Sequence, residues 1–196
     1  LAAADTALLA GCHGVLVPAS PVAVAAETLA RSGILRAREV RIVGPQHVFQ
    51  CDRLVVPWAM AAMFQPHPRL VSWLAALVPP LVPPGALGPR RRLYIDRRAA
   101  SNRVLANESE VIAALARFGV EAVTLEGLGL AEQAALFADA ELVVAPHGAG
   151  LINLVFAPRD CRIVELLSDA YANWCFRRLA AAAGEATPPL SGGLVG

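Results

Sequence analysis

The chain has 196 residues, with 17 basic and 16 acidic side chains and a net charge of +1, so bulk charge marks neither a nucleic-acid nor a membrane-surface partner. At this length it buries roughly 70% of its unfolded surface, enough for a real core. Apolar residues make up 56%, yet no unbroken apolar run reaches the roughly 18–20 residues of a membrane span, and the start carries Asp5 and no basic region, unlike a signal peptide.

In chain order, Gly14 to Val17 reads as a short buried strand. Ser20-Pro21 predicts a helix start, with Ser20 as N-cap and Pro21 at the first helical position. That helix runs to about Ser32 and stops at Gly33. Val40 to Val43 and Leu54 to Val56 are further strand candidates. His67-Pro68 opens a helix with Leu70, Trp73, Leu74 and Leu77 at i, i+3, i+4, i+7 spacing. From Pro79 to Pro89 proline and glycine are dense, which predicts a semi-rigid linker over 79–89 between a first part, 1–78, and a second, 90–196.

After the linker, Leu93 to Asp96 reads as a strand. Asn107 is placed to cap a helix, with Glu110 at N3 as a capping-box-like partner, and Val111, Ala114, Leu115 and Phe118 on one face. Gly119 ends it. Val120 to Leu125 is a strand, and Leu130 to Ala138 a helix with Gly129 at the N-cap. Leu142 to Ala145 is a strand, Leu151 to Phe156 a short helix, Arg162 to Leu166 a strand and Trp174 to Ala183 a final helix. The tail from Thr187 reads as loop. Alternating strands and helices point to an α/β fold with a doubly wound parallel sheet.

Ligands of such sheets bind beyond the carboxyl ends of the strands. Those ends carry Asp96-Arg97-Arg98, the Glu126-Gly127 loop, Pro146-His147-Gly148 and Glu165. The stretch Pro146-His147-Gly148-Ala149-Gly150-Leu151-Ile152-Asn153 joins a buried strand to a helix through glycines, the sequence form of an anion cradle. His147 is placed to hydrogen-bond a phosphate or a sugar hydroxyl. Arg97 and Arg103 offer guanidinium forks that suit a phosphate. Arg90 to Arg92 read as solvated linker charges. Asn107 and Glu108 are explained locally as a helix cap and a first-turn carboxylate. Glu165, at the end of an apolar strand, suits a ribose diol.

All basic residues other than histidine are arginines, which excludes a Walker A loop, a Schiff-base lysine and a lysine general base. Cys12, Cys51, Cys161 and Cys175 form no Cys-x-x-Cys pair and no zinc spacing, so they read as reduced thiols, and no metal ligand set emerges. Reduced thiols fit a cytoplasmic compartment, with any membrane association arising through partners or a segment outside this chain. The chain opens on Leu1 rather than methionine and reads as a fragment or a processed chain.

Taken together, Tyr94-Ile95-Asp96-Arg97, Arg103, Asn107-Glu108, Glu132-Gln133, His147-Gly148-Ala149-Gly150-Leu151-Ile152-Asn153 and Val164-Glu165 resemble glycosyltransferase family 61, also labelled DUF563 or capsular polysaccharide biosynthesis protein. The resemblance runs from about Leu93 to Leu167. It implies a GT-B fold of two Rossmann-like lobes, with a partial first lobe here and a nearly complete second one. It further implies transfer of a sugar from a nucleotide-sugar donor to a glycan acceptor, with inversion, and no separate cofactor. On that reading, with the individual contacts assigned by position in the chain, Arg97, Arg103, His147, Gly148, Ala149, Gly150 and Asn153 would hold the donor diphosphate, Glu165 the ribose, and Asn107 and Glu108 would shape the site. Similar sequences carry an upstream His-Trp segment that is absent here, so no catalytic base is assigned. A nucleotide-binding module without catalysis is the alternative. A dinucleotide oxidoreductase is disfavoured, because no Gly-x-Gly-x-x-Gly follows the first strand of either half.

Overall fold

The computed structural model describes residues 11–19, 23–33, 38–55, 66–78, 90–100, 104–168, 171, 173–184 and 190–193. The chain divides into two compact units, 1–60 and 61–196. In the first unit β1 (Gly14–Pro18) and β2 (Glu39–Val43) pair in parallel, Gly14 opposite Glu39 and Pro18 opposite Val43, with α1 (Ala23–Arg31) between them in sequence. The Ser20-Pro21 helix start falls outside the described residues. Leu54 and Val55 belong to no strand, and Leu54 is 62% exposed, so the strand expected at Leu54–Val56 does not form over those two residues.

The second unit is built on a five-stranded sheet. Its strands are β3 (Arg91–Ile95), β4 (Glu121–Val123), β5 (Ala140–Pro146), β6 (Arg162–Leu167) and β7 (Leu190–Gly193). They lie in the order β4-β3-β5-β6-β7, every pair parallel. The helices are α2 (Pro68–Ala76), α3 (Glu108–Ala116), α4 (Leu130–Ala138), a 3₁₀ helix (Ala149–Phe156) and α5 (Cys175–Ala183). A parallel sheet needs a crossover between successive strands, and the intervening helices cover its faces.

The pleat sorts the central strands. Leu93, Ile95, Val143, Ala145 and Ile163 point into the larger core, against Phe137, Leu151, Leu154 and Leu179. Tyr94 and Val144 point the other way, where Val111, Ile112 and Leu115 of α3 pack. Phe118 was expected on that helical face, but α3 ends at Ala116, so the period no longer governs it and it is 69% exposed. Gly119 follows at φ 71°, a conformation that favours glycine.

Three further expectations change. Helix α2 lies before the expected linker, yet it belongs to the second unit: Val71, outside the expected stripe, is its buried residue and joins the larger core, against which Leu74 of the stripe also packs. The segment 79–89 itself is outside the described residues. The tail read as loop adds β7, whose main chain pairs with β6 from Val164↔Leu190 to Leu167↔Gly193. Parallel pairing is a main-chain property, so glycines and a nearby proline pair did not prevent it. Arg91 and Arg92 open β3 and Arg90 immediately precedes it, rather than lying in a linker, and the three arginines in chain order pair with Asp160, Glu121 and Glu141 at the amino-end edge of the sheet.

Candidate functional site

Strand order places the site. β3 is followed in sequence by β4 on one side and in space by β5 on the other, so the connections diverge between β3 and β5. Open α/β sheets bind ligands at such a switch point, beyond the carboxyl ends of the strands. The residues that leave those two ends are Asp96-Arg97-Arg98 and His147-Gly148.

On the β3 side, the Asp96 main-chain N–H donates to the Val123 carbonyl at 2.9 Å, which holds the strand end in place. The Asp96 carboxylate accepts from the Arg98 main chain at 2.9 Å and from its guanidinium at 2.6 Å. That bidentate grip holds the Asp96 carboxyl below the usual carboxylate range, against the opposing effect of burial. Glu108, at the first position of α3, is 2% exposed. One of its oxygens accepts from the Tyr94 hydroxyl and from the Arg97 main-chain N–H, both at 2.9 Å. The carboxylate thus pins the chain at Arg97 from below. Burial, and then the adjacent carboxylate, push the Tyr94 phenol well above its ordinary value, so it stays a donor. Asn107 occupies the N-cap position of α3, as expected, but it is exposed and makes no side-chain cap hydrogen bond, so the expected pairing with Glu110 does not form. Arg103 lies outside the described residues.

On the β5 side, the His147 main-chain N–H donates to the Leu166 carbonyl at 2.9 Å, one step beyond the last paired residue of β5. Its Nδ1 lies 2.6 Å from Glu165 Oε1, with the side chains 7% and 2% exposed. Glu165 is not at a strand end: β6 continues to Leu167, and Glu165 pairs opposite Ala145. Burial pushes its carboxyl upward, while the His147 contact pulls it back. A buried carboxylate turned to a neighbouring ring is not placed to grip a ribose.

The glycines act differently from a simple clearance for ligand. Gly148 has extended backbone at φ 178°, which any residue adopts. Its need for glycine is space, because the Arg97 guanidinium occupies the place of a Cβ, with Cζ 2.5 Å from it. Arg97 therefore reaches across the switch point from β3 and rests on the main chain leaving β5. Gly150 faces inward, where a Cβ would lie 2.8 Å from Leu125 Cδ1 and 3.4 Å from Ile95 Cγ2. Ala149, exposed, begins the 3₁₀ helix, whose first N–H groups lack partners within the helix.

Asn153 was expected at the ligand, but it is 2% exposed and turned inward. Its amide donates to Gln133 Oε1 at 2.8 Å and to the Gly150 carbonyl at 3.1 Å. Gln133 in turn donates to the carbonyls of Leu125 and Leu128. The glycine turn is thereby tied to α4 and to the loop after β4. Sequence reasoning did not give Gln133 this role, although a signal existed: Leu130, Gln133, Ala134 and Phe137 are the buried stripe of α4, and a glutamine on such a stripe needs buried partners. Beside His147 lies a cavity of about 330 Å³, reached by Tyr171, Asn173 and Phe176 as well as the Gly148 main chain.

Residues 6–164 match the family described as glycosyltransferase 61, well over half of the chain. The chain belongs to glycosyltransferase family 61. Similar proteins include the cattle protein O-linked-mannose beta-1,4-N-acetylglucosaminyltransferase 2, 38% identical over 42% of this chain and 14% of that protein. The fruit-fly (Drosophila melanogaster) EGF domain-specific O-linked N-acetylglucosamine transferase is 34% identical over 46% of this chain and 18% of its own length. Rice (Oryza sativa subsp. japonica) beta-1,2-xylosyltransferase XAX1 is 34% identical over 44% of this chain and 15% of its own. The matched part of this family 61 chain therefore spans less than a fifth of each of these relatives. Among the described residues, no helix is long and apolar enough to cross a membrane.

Proposed function

We propose that this family 61 chain carries the donor-binding part of a glycosyltransferase that moves a sugar from a nucleotide-sugar to a glycan acceptor. The observation that carries the reading is the Arg97 guanidinium seated on Gly148 across the β3–β5 switch point. A permanently charged fork at the start of a helix, beside a cavity, suits the diphosphate of such a donor. Family membership and the transferase names of the relatives supply the reaction class.

In this reading Arg97, with Arg103, neutralises the leaving diphosphate, and the main chain of Gly148 and Ala149 lies along it. Glu108, Asn153 and Gln133 hold those groups in place and do not touch the donor. A GT-B arrangement of two lobes, inversion at the anomeric carbon, a capsular-polysaccharide-type acceptor and a cytoplasmic location belong to the same proposal and rest on the family resemblance.

Calorimetry of the intact protein against UDP, GDP, CDP and ADP tests it. One of the four is expected to bind the parent, and Arg97→Ala to weaken it by tenfold or more. Arg97→Ala binding as the parent does refutes the assignment of Arg97. Tight binding with no sugar transfer or donor hydrolysis refutes the enzyme and leaves a binding module.

A further inference from the structure

The cavity beside His147 is the part of the site that phosphate chemistry leaves unused. At about 330 Å³ it lies near the small end of ligand pockets, room for one ring rather than a whole nucleotide sugar. Its walls include the rings of Tyr171 and Phe176 and the aliphatic Ile152 and Leu179. At its rim the Asn173 amide donates to the Tyr171 hydroxyl at 3.2 Å. Aromatic faces with a few polar groups at the edge suit a sugar ring, whose C–H faces are apolar and whose hydroxyls lie around its rim.

His147 is held from several sides. Nδ1 meets Glu165 Oε1 at 2.6 Å, Tyr171 stands edge-on at 5.3 Å between ring centroids, and Phe176 is tilted at 5.1 Å. The main chain is fixed to Leu166. With Nδ1 turned to the sheet, Nε2 is the nitrogen left for the cavity. In the neutral ring an ionised carboxylate, which only accepts, holds the proton on Nδ1 and so leaves the lone pair on Nε2. A lone pair cannot donate to a phosphate oxygen, but it accepts from a hydroxyl.

We propose that Glu165 is a positioning residue that presents His147 Nε2 as an acceptor, and that the cavity receives a sugar ring of the donor, one hydroxyl of which donates to Nε2. This rests on the donor reading above and divides the site: phosphates lie with Arg97, the sugar ring with His147. Gly148 is common to both, since Arg97 fills its Cβ position and its main chain lines the cavity.

Two measurements test this. Long-range ¹H–¹⁵N spectra of the histidine rings, at pH 7.5 without ligand, read the tautomer directly, and His147→Gln assigns the signal among the four histidines. The expected wild-type state has Nδ1 protonated and Nε2 bare, and Glu165→Gln, of the same shape, mixes the two tautomers. A wild-type imidazolium or an Nε2–H tautomer overturns the proposal, even if the variant fails to fold. The second measurement is calorimetry with UDP against UDP-N-acetylglucosamine and GDP against GDP-mannose. Glu165→Gln is expected to leave the diphosphate affinity within twofold and to lower that of its sugar conjugate about fivefold, what one neutral hydrogen bond contributes. An equal effect on both members of a pair, or none on either, overturns it. If none of UDP, GDP, CDP and ADP binds the wild type, the donor reading falls and the sugar assignment with it, while the tautomer still decides the role of Glu165.

Discussion

Replacing Gly148 by alanine isolates the seat of Arg97. The backbone there is extended, so alanine brings no conformational strain. Its methyl would instead overlap the Arg97 guanidinium, whose Cζ lies 2.5 Å from the Cβ position. The displaced group is the end of a flexible side chain, so the fold should lose about 1 kcal/mol or less. Binding should suffer more. A charge-assisted hydrogen bond contributes about 1.5–3 kcal/mol, so moving the fork off a diphosphate should weaken affinity about 10- to 150-fold. Gly150→Ala is the control, because its methyl meets Leu125 Cδ1 at 2.8 Å inside the core. Overpacking there should cost about 1–3 kcal/mol, or roughly 2–4 °C of Tm per kcal/mol, with affinity little changed once folded. The assay pairs thermal melts with calorimetry on the nucleoside diphosphate that binds the parent. Unchanged affinity in Gly148→Ala would show that Arg97 does not hold the phosphates where it rests in this structure.

Asn153→Ala should destabilise by about 1–3 kcal/mol, because it strands the Gln133 carbonyl oxygen in the interior; a urea midpoint equal to the parent's would remove the network from the account. Tyr94→Phe takes one of two donors from the buried Glu108 carboxylate and should cost about 1.5–3 kcal/mol by chemical denaturation. Asp96, whose folded pKa is depressed by Arg98, adds stability that is present above about pH 4 and is lost as the pH falls through the folded value. Because the Arg98 side chain is 53% exposed, that contribution should be about 1 kcal/mol or less, and the gap between parent and Asp96→Asn midpoints should close on acidification. Arg91→Ala, which breaks a pair with Glu121 at the far edge of the sheet, should leave nucleotide affinity unchanged in the same calorimetry.

Much of this chain was legible in its local patterns. α4 runs over Leu130–Ala138 with Gly129 at its N-cap, as expected, because a 3.6-residue stripe and a glycine boundary are short-range signals. His67 caps α2 by accepting from the Arg69 N–H, as its place before a proline suggested. The apolar runs of β3 and β5 read as strands because both of their faces are buried. The sequence also marked Arg97 and the His147 turn, since strand ends followed by charge or glycine are where α/β sheets bind.

Other features depended on which segments meet in space. Glu165 turned out to hold His147 because β5 and β6 are neighbours in parallel register, a contact between residues 18 apart. Gly148 serves Arg97 because β3 lies beside β5, bringing together positions 51 apart in number. Asn153 turned inward because Gln133 of α4 supplies its partner. β7 formed because an open sheet edge supplied main-chain partners that composition does not encode. The residue types at the site and the elements that carry them were fixed by local sequence. Which of those residues face a ligand and which hold their neighbours was decided by strand order and register, because that division depends on the direction of each side chain across the sheet.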